Sequence, residues 1–169
     1  MTDSFTRYME SVENPKLAAG NLDYIVHDSP EGGTQTVGFG HKLNLIEKET
    51  RQIHGLYIDE LDLEKCRLIL DIDLGMTELG LSQKVPMWRK RSNRQKEILL
   101  DYEYNLGSVA RVFPKFYTAV LRRDIEGQRE EYKRHYRDSS GYWRELEDRN
   151  KLFYARYLSE SALKGFTTL

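Results

Sequence analysis

From Asp59 onward the apolar positions fall into helical spacing, whereas before residue 55 they do not. Leu63, Cys66, Leu70 and Leu74 form one stripe, with Ile69, Ile72, Met76 and Leu79 beside it, and the period predicts a helix over roughly 60–81. An earlier helix is expected from Asp3/Ser4, which would cap it, to Glu13, closed by Asn14-Pro15. Between these helices Gly, Pro, Asp and Asn interrupt every apolar run, so short strands and turns are expected to about residue 55. "DYIV" and "TQTVGFGHKL" are the strand candidates and "DSPEGG" the turn between them. After Val85-Pro86, Ser92-x-x-Gln95 reads as a capping box that opens a helix through Ile98, Leu99, Tyr102 and Leu106, ended by Gly107. A short helix should follow Pro114, another should run from an Asp124 cap to about Arg137, "DSSG" should turn the chain, and a last helix should cover roughly 143–163. The fold class is therefore α+β, in one domain over residues 1–169. A small N-terminal lobe with a short β-sheet (about 1–58) precedes a linking helix (about 59–81) and a helical C-terminal lobe (about 82–169). A cleft between such lobes is where a polymer would lie.

Composition narrows the class. With 31% charged and 39% hydrophobic residues in a 169-residue chain, the profile is that of a soluble globular domain. No run of eighteen apolar residues occurs, so no stable membrane insertion is expected. "MTDSFTRYMESVENP" lacks the basic-then-apolar order of a signal peptide. The single cysteine, Cys66, excludes an internal disulfide, fits a reducing compartment and sits on the core stripe of its helix. Net charge is −1 but uneven: residues 1–83 hold 7 Lys+Arg and 15 Asp+Glu, and residues 84–169 hold 19 and 12. A basic C-terminal half could face an anionic partner. Its cations are interleaved with acids ("REEYKRHYRD", "WRELEDRNK"), which makes a solvated helix face and argues against nucleic acid.

The chemistry concentrates in "EGGTQTVGFGHKL", residues 31–43. It is not a phosphate loop, because Gly40 is followed by His41-Lys42-Leu43 and not by Lys-Ser/Thr. It is not a dinucleotide fingerprint either, since Gly38-Phe39-Gly40 lacks a third glycine opening a helix. Read as one strand, it puts Thr34, Thr36, Gly38 and Gly40 on one face and Gln35, Val37, Phe39 and His41 on the other. The first face would offer a hydroxyl and two positions without side chains to a flat substrate; the alternative is that the glycines serve a bulge or tight turn. Four acids stand upstream: Glu10 and Glu13 at the end of the first helix, Asp28 and Glu31 in the turn. A carboxyl at a helix C-terminus is disfavoured as an anion by the macrodipole, whereas one in a wet turn stays ionised. One proton donor and one carboxylate across a sugar is what glycosidic cleavage requires. "DIDLG" around Asp71 and Asp73 lacks the ligands of a calcium loop and reads as helix surface. His27, His41, His54 and His135 show no zinc-type spacing, so no metal is expected from them. Trp88, Trp143 and most of the eleven tyrosines are expected to fill the C-terminal core, with Tyr104 a candidate for stacking on a sugar.

The order of these parts resembles the phage-type lysozymes. That family's motif is a helix-ending Glu, a short spacer, Asp, then Thr-Ile-Gly-x-Gly-His, and Thr36 to His41 reads T-V-G-F-G-H. "LDLEKCRLILDID" is similar to the family's linking helix and "DYEYNLG" to its Phe-Gln-Met-Gly-type segment. "FPKFYTAVLRRDIEGQ" and "YWRELEDRNKLFYARYL" are similar to its remaining helices. The resemblance implies a lysozyme-like fold and inverting hydrolysis of the MurNAc–GlcNAc β-1,4 bond of peptidoglycan without metal or cofactor. It makes Glu13 the general acid, Asp28 the second carboxylate and Thr36 the residue that places the attacking water. Gly38, Gly40, Tyr104, Asn105 and Arg149 would contact substrate or support the site, with Arg144 and Arg156 as other matches for the family arginine. His41 would be a structural fastener paired with Asp71. A monomer is implied, acting on the bacterial wall during phage lysis. It would wait in the host cytoplasm for a holin-type membrane lesion, or travel in the virion.

The chain departs from the family in its spacing. Fourteen residues separate Glu13 from Asp28, more than is usual, so Glu31 is an alternative second acid and Glu10 a rival to Glu13. Two other functions share the resemblance. A lytic transglycosylase cleaves the same bond without water or a second carboxylate, and a virion or wall-binding protein could keep the fold without the catalysis.

Overall fold

A computed structural model describes residues 2–28, 35–137 and 140–167. Glu31, Thr34 and the glycines at 32 and 33 lie outside the described residues, as does most of "DSPEGG". The chain is α+β and divides into two compact units, Met1–Met76 with Arg137–Tyr142, and Thr77–Tyr136 with Trp143–Leu169. The division falls inside the long helix.

In the first unit, helix α1 (Asp3–Glu13) has the expected span, but its cap is Thr2 and not Asp3 or Ser4, with Thr2 Oγ1 accepting from Phe5 N at 3.3 Å. Phe5, Tyr8 and Met9 are its buried face. It ends at Glu13, and Asn14 immediately caps a one-turn helix, α2 (Pro15–Ala18), which has Pro at its start. "DYIV" is part 3-10 turn (Leu22–Tyr24) and part strand β1 (Val26–Asp28).

"TQTVGFGHKL" is not one strand. Strand β2 (Gln35–Val37) and strand β3 (His41–Lys42) form a hairpin with Val37 opposite His41, and β1 pairs antiparallel to β2. Gly38 at φ +59° and Gly40 at φ +100° make the reversal, backbone that L side chains rarely adopt. The expectation that alternation sorts residues 34–41 onto two faces therefore fails beyond Val37.

Helix α3 (Leu45–Thr50), which the apolar pattern does not show, is opened by a capping box, Asn44-x-x-Glu47. A second hairpin, β4 (Gln52–Ile53) and β5 (Leu56–Tyr57), turns at His54-Gly55. Helix α4 (Leu63–Lys84) is the expected linking helix. Val37, Leu43, Ile53, Ile58 and Ile69 make the core that joins both hairpins to it. Cys66 is buried, and burial pushes its thiol up to about 11, so it packs and does not react. Met76 and Leu79, expected beside the core stripe, are exposed.

In the second unit, helix α5 (Asn93–Leu106) has the expected Ser92/Gln95 capping box and Gly107 terminus. Helices α6 (Val109–Val112), α7 (Pro114–Arg122, proline first) and α8 (Ile125–Glu131, capped by Asp124) follow. The expected continuation of α8 to Arg137 is instead strand β6 (His135–Arg137), paired with β7 (Trp143–Glu145). The last helix is correspondingly late and broken: α9 (Glu147–Phe153), a π turn (Tyr154–Leu158) and α10 (Glu160–Thr167). The π turn leaves carbonyls that the regular ladder does not use. Arg94 donates to Tyr157 O at 2.8 Å and Arg129 to Leu158 O at 2.8 Å. Trp88 is buried as expected, but Trp143 lies exposed on its strand.

The core of this unit is aromatic and charged at once. Tyr102 stacks on Phe116 at 4.3 Å and meets Phe153 edge-on. The Arg134 guanidinium lies 3.9 Å over the Tyr102 ring and is fully buried. Its counter-ion is Asp101, also fully buried, which receives Arg134 Nη2 at 2.5 Å and Arg149 Nη2 at 2.6 Å. Burial alone would raise the Asp101 carboxyl, but the two guanidiniums outweigh it and hold the group well below the ordinary carboxylate range. A carboxylate lowered in the folded state contributes stability above its unfolded pKa of about 4, lost as pH falls towards the folded value. Asp101→Asn should therefore cost about 3–5 kcal/mol at pH 7. Urea titrations at a series of pH values should also show a shallower loss of stability below about pH 4 in the variant than in the parent.

Candidate functional site

The candidate site in the first unit is built on one side chain that the motif does not include. Asn14, 5% exposed, follows Glu13 directly. Its Oδ1 accepts from Leu17 N at 3.1 Å and so starts α2. Its Nδ2 donates to two carbonyls, Tyr24 O and Gly38 O, each at 2.9 Å. The last turn of α1 is thereby tied to the chain entering β1 and to the glycine turn after β2. Both bonds depend on the shape of that turn. Gly38 N donates to Ile25 O at 2.7 Å, and a β-carbon on Gly38 would stand 3.3 Å from the Cys66 β-carbon of α4. Gly38 is thus pressed between the end of α1 and α4. Its bare face meets a helix, and the tight-turn alternative accounts for it.

Glu13 is half-buried at the C-terminal end of α1, its Oε1 withdrawn from solvent. Thr36, 5% exposed, is on β2 opposite His27 and Lys42, two residues before the Gly38 carbonyl that Asn14 holds. Asp28 ends β1 opposite Gln35, one rung from Thr36, and is exposed. Glu10 is buried and takes Arg67 in a two-point contact, Oε1 to Nε and Oε2 to Nη2, both at 3.1 Å. A carboxylate so occupied is a structural anion. Glu31, the alternative to Asp28, lies outside the described residues.

His41 is a fastener, but to a different acid from the one expected. Asp71 is exposed, whereas Asp73, two residues on and turned by about 200° around the helix, points at the hairpins. Its Oδ2 lies 2.8 Å from His41 Nδ1, and its Oδ1 lies 2.8 Å from His54 Nε2. Glu47 Oε1 lies 3.1 Å from His41 Nε2. Burial pulls the His41 ring down, but the carboxylates of Asp73 and Glu47 more than compensate and its pKa stands above the usual value.

The remaining expected residues belong to the second unit. Tyr104 and Asn105 are half-buried near the end of α5, where Glu103 Oε2 accepts Val109 N at 2.9 Å. The side-chain oxygen of Asn105 is buried and accepts no hydrogen bond among the described residues, an arrangement native proteins rarely leave without use. Arg149 is buried and bonded to Asp101. Of its alternatives, Arg144 is exposed and Arg156 is bonded to Glu97 at 3.0 Å.

Removing the Asn14 amide leaves two inward-facing carbonyls without their donor and α2 without its cap. Asn14→Ala should cost about 2–4 kcal/mol by urea unfolding. Asn14→Asp, which keeps the cap acceptor but sets a carboxylate against the same two carbonyls, should cost at least as much. The chain matches no family model, no curated protein and no solved structure.

Proposed function

We propose that this chain is a peptidoglycan hydrolase with a lysozyme-like fold, a muramidase of the phage type. The observation that carries the reading is the Asn14 clamp, because it couples the helix-ending glutamate to the T-V-G-F-G-H turn through the Gly38 carbonyl. Those are the two parts of the motif that the family resemblance requires together. The occupation of Glu10 by Arg67 supports Glu13 as the acid.

In this mechanism Glu13 gives its proton to the glycosidic oxygen as the C1–O bond of MurNAc breaks. Water held by the Asp28 carboxylate attacks C1 from the opposite face and passes its proton to Asp28. The products are two sugar ends, one reducing, with inverted configuration at C1. Among the described residues no helix is long and apolar enough to cross a membrane. The chain would reach the wall from the host cytoplasm through a holin-type lesion, or be carried in the virion.

The exposed position of Asp28 leaves room for the second reading, a lytic transglycosylase, in which the sugar's own hydroxyl replaces water and Glu13 alone works. Purified chain added to permeabilised Gram-negative cells should clear the suspension and release muropeptides with reducing ends by mass spectrometry. Anhydro ends would indicate the transglycosylase. Glu13→Gln should lower the rate about 10²–10⁴-fold with the circular dichroism spectrum unchanged. Undiminished clearing by that variant, or wall binding without soluble fragments from the parent, would contradict the reading.

A further inference from the structure

The cluster around Asp73 holds more than an ion pair. Three side chains from three elements converge: His41 from β3, His54 from the β4–β5 turn and Asp73 from α4. One ligating atom from each lies within 4.8 Å of the other two. Asp73 presents one oxygen to each imidazole, at 2.8 Å from His41 Nδ1 and 2.8 Å from His54 Nε2. The rings meet edge-on at 5.5 Å, and each turns one nitrogen to the carboxylate.

We propose that His41, His54 and Asp73 form a binding site for a divalent transition-metal ion of the zinc type. The donor set is the borderline nitrogen and oxygen mixture such ions prefer, and three protein ligands leave a fourth position for water. Bonds of about 2.0–2.1 Å place tetrahedral ligands roughly 3.3 Å apart, so the ion enters by widening the two short contacts by about half an ångström. The flanks of the site are suited to it. His41 would ligate through Nδ1 while its other nitrogen donates to Glu47 Oε1 at 3.1 Å, the carboxylate–histidine–metal relay that orients a ligand and raises its basicity. Glu47 is itself held, because its Oε2 accepts Asn44 N at 2.9 Å in the capping box of α3. Access is open: His54 lies on an exposed turn, with a side chain about one fifth exposed. The ion would pin both hairpins of the first unit to α4. This role is independent of peptidoglycan hydrolysis.

The test is calorimetric titration of zinc chloride into tag-free, chelator-stripped full-length protein, paired with cobalt(II) absorption spectra. One equivalent should bind, cobalt should give the intense visible bands of a tetrahedral nitrogen–oxygen site, and zinc should raise the thermal unfolding midpoint. His54→Asn suits the turn, because residue 54 has φ +50° and asparagine tolerates that backbone. It should abolish the stoichiometric step and the cobalt bands while leaving the circular dichroism spectrum intact. Glu47→Gln, which can still accept from Asn44, should weaken binding about 10–100-fold. No stoichiometric heat from the parent overturns the proposal, as does equal affinity in His54→Asn. Octahedral cobalt spectra would overturn the tetrahedral assignment.

Discussion

The first unit depends on a single primary amide. Asn14 must satisfy a helix cap on one side and two carbonyls on the other, and only an asparagine-like group carries both an acceptor and a pair of donors in a plane. An unpaired buried carbonyl costs about 1–3 kcal/mol, so the three bonds together restrict where α1 can end relative to the glycine turn. Gly38 complements this from the other side. Its positive φ and its contact with Cys66 fix the turn against α4, leaving its carbonyl facing Asn14. The position of Glu13 follows from these bonds, since its backbone is joined directly to Asn14.

Two buried acids of the chain share one arrangement. Glu10 and Asp101 are buried and neutralised by guanidiniums, one by Arg67 and the other by Arg134 and Arg149 together. Such groups hold structure, because the cost of stripping water from a carboxylate is offset only while its cations stay in place. Asp73 differs from both. It faces two imidazoles, which bind either a proton or a metal, and this makes its surroundings chemically adaptable in a way an arginine pair is not.

Much of this was legible in the sequence wherever the signal was local. The ends of α1, the capping box of α5, the proline start of α7 and the helical period of α4 are all read from a few adjacent residues. What failed was what tertiary context decides. "TQTVGFGHKL" alternates like a strand, yet two glycines with positive φ fold it into a hairpin. Residues 125–137 have helical composition, but the last three pair with the segment carrying Trp143. The capping box at Asn44-x-x-Glu47 was present in the sequence and marks α3, although only six residues long. The partner of His41 was misplaced by two positions, a shift that a repeat in "DID" hides and a helix of 3.6 residues per turn reveals. The His41–His54–Asp73 cluster had no linear signature because its ligands are separated by 13 and 19 residues on different elements.

The claim at the centre of this account is that the Asn14 side chain locks the end of α1 to the glycine turn. Hydrogen exchange of its two Nδ2 protons, followed by NMR in the native protein, tests it most directly. Donation to Tyr24 O and Gly38 O predicts two resolved resonances whose exchange is slowed to the level of the buried backbone amides of α1. Exchange at the rate of a solvent-exposed asparagine would contradict the lock, and with it the placement of Glu13 beside the T-V-G-F-G-H turn.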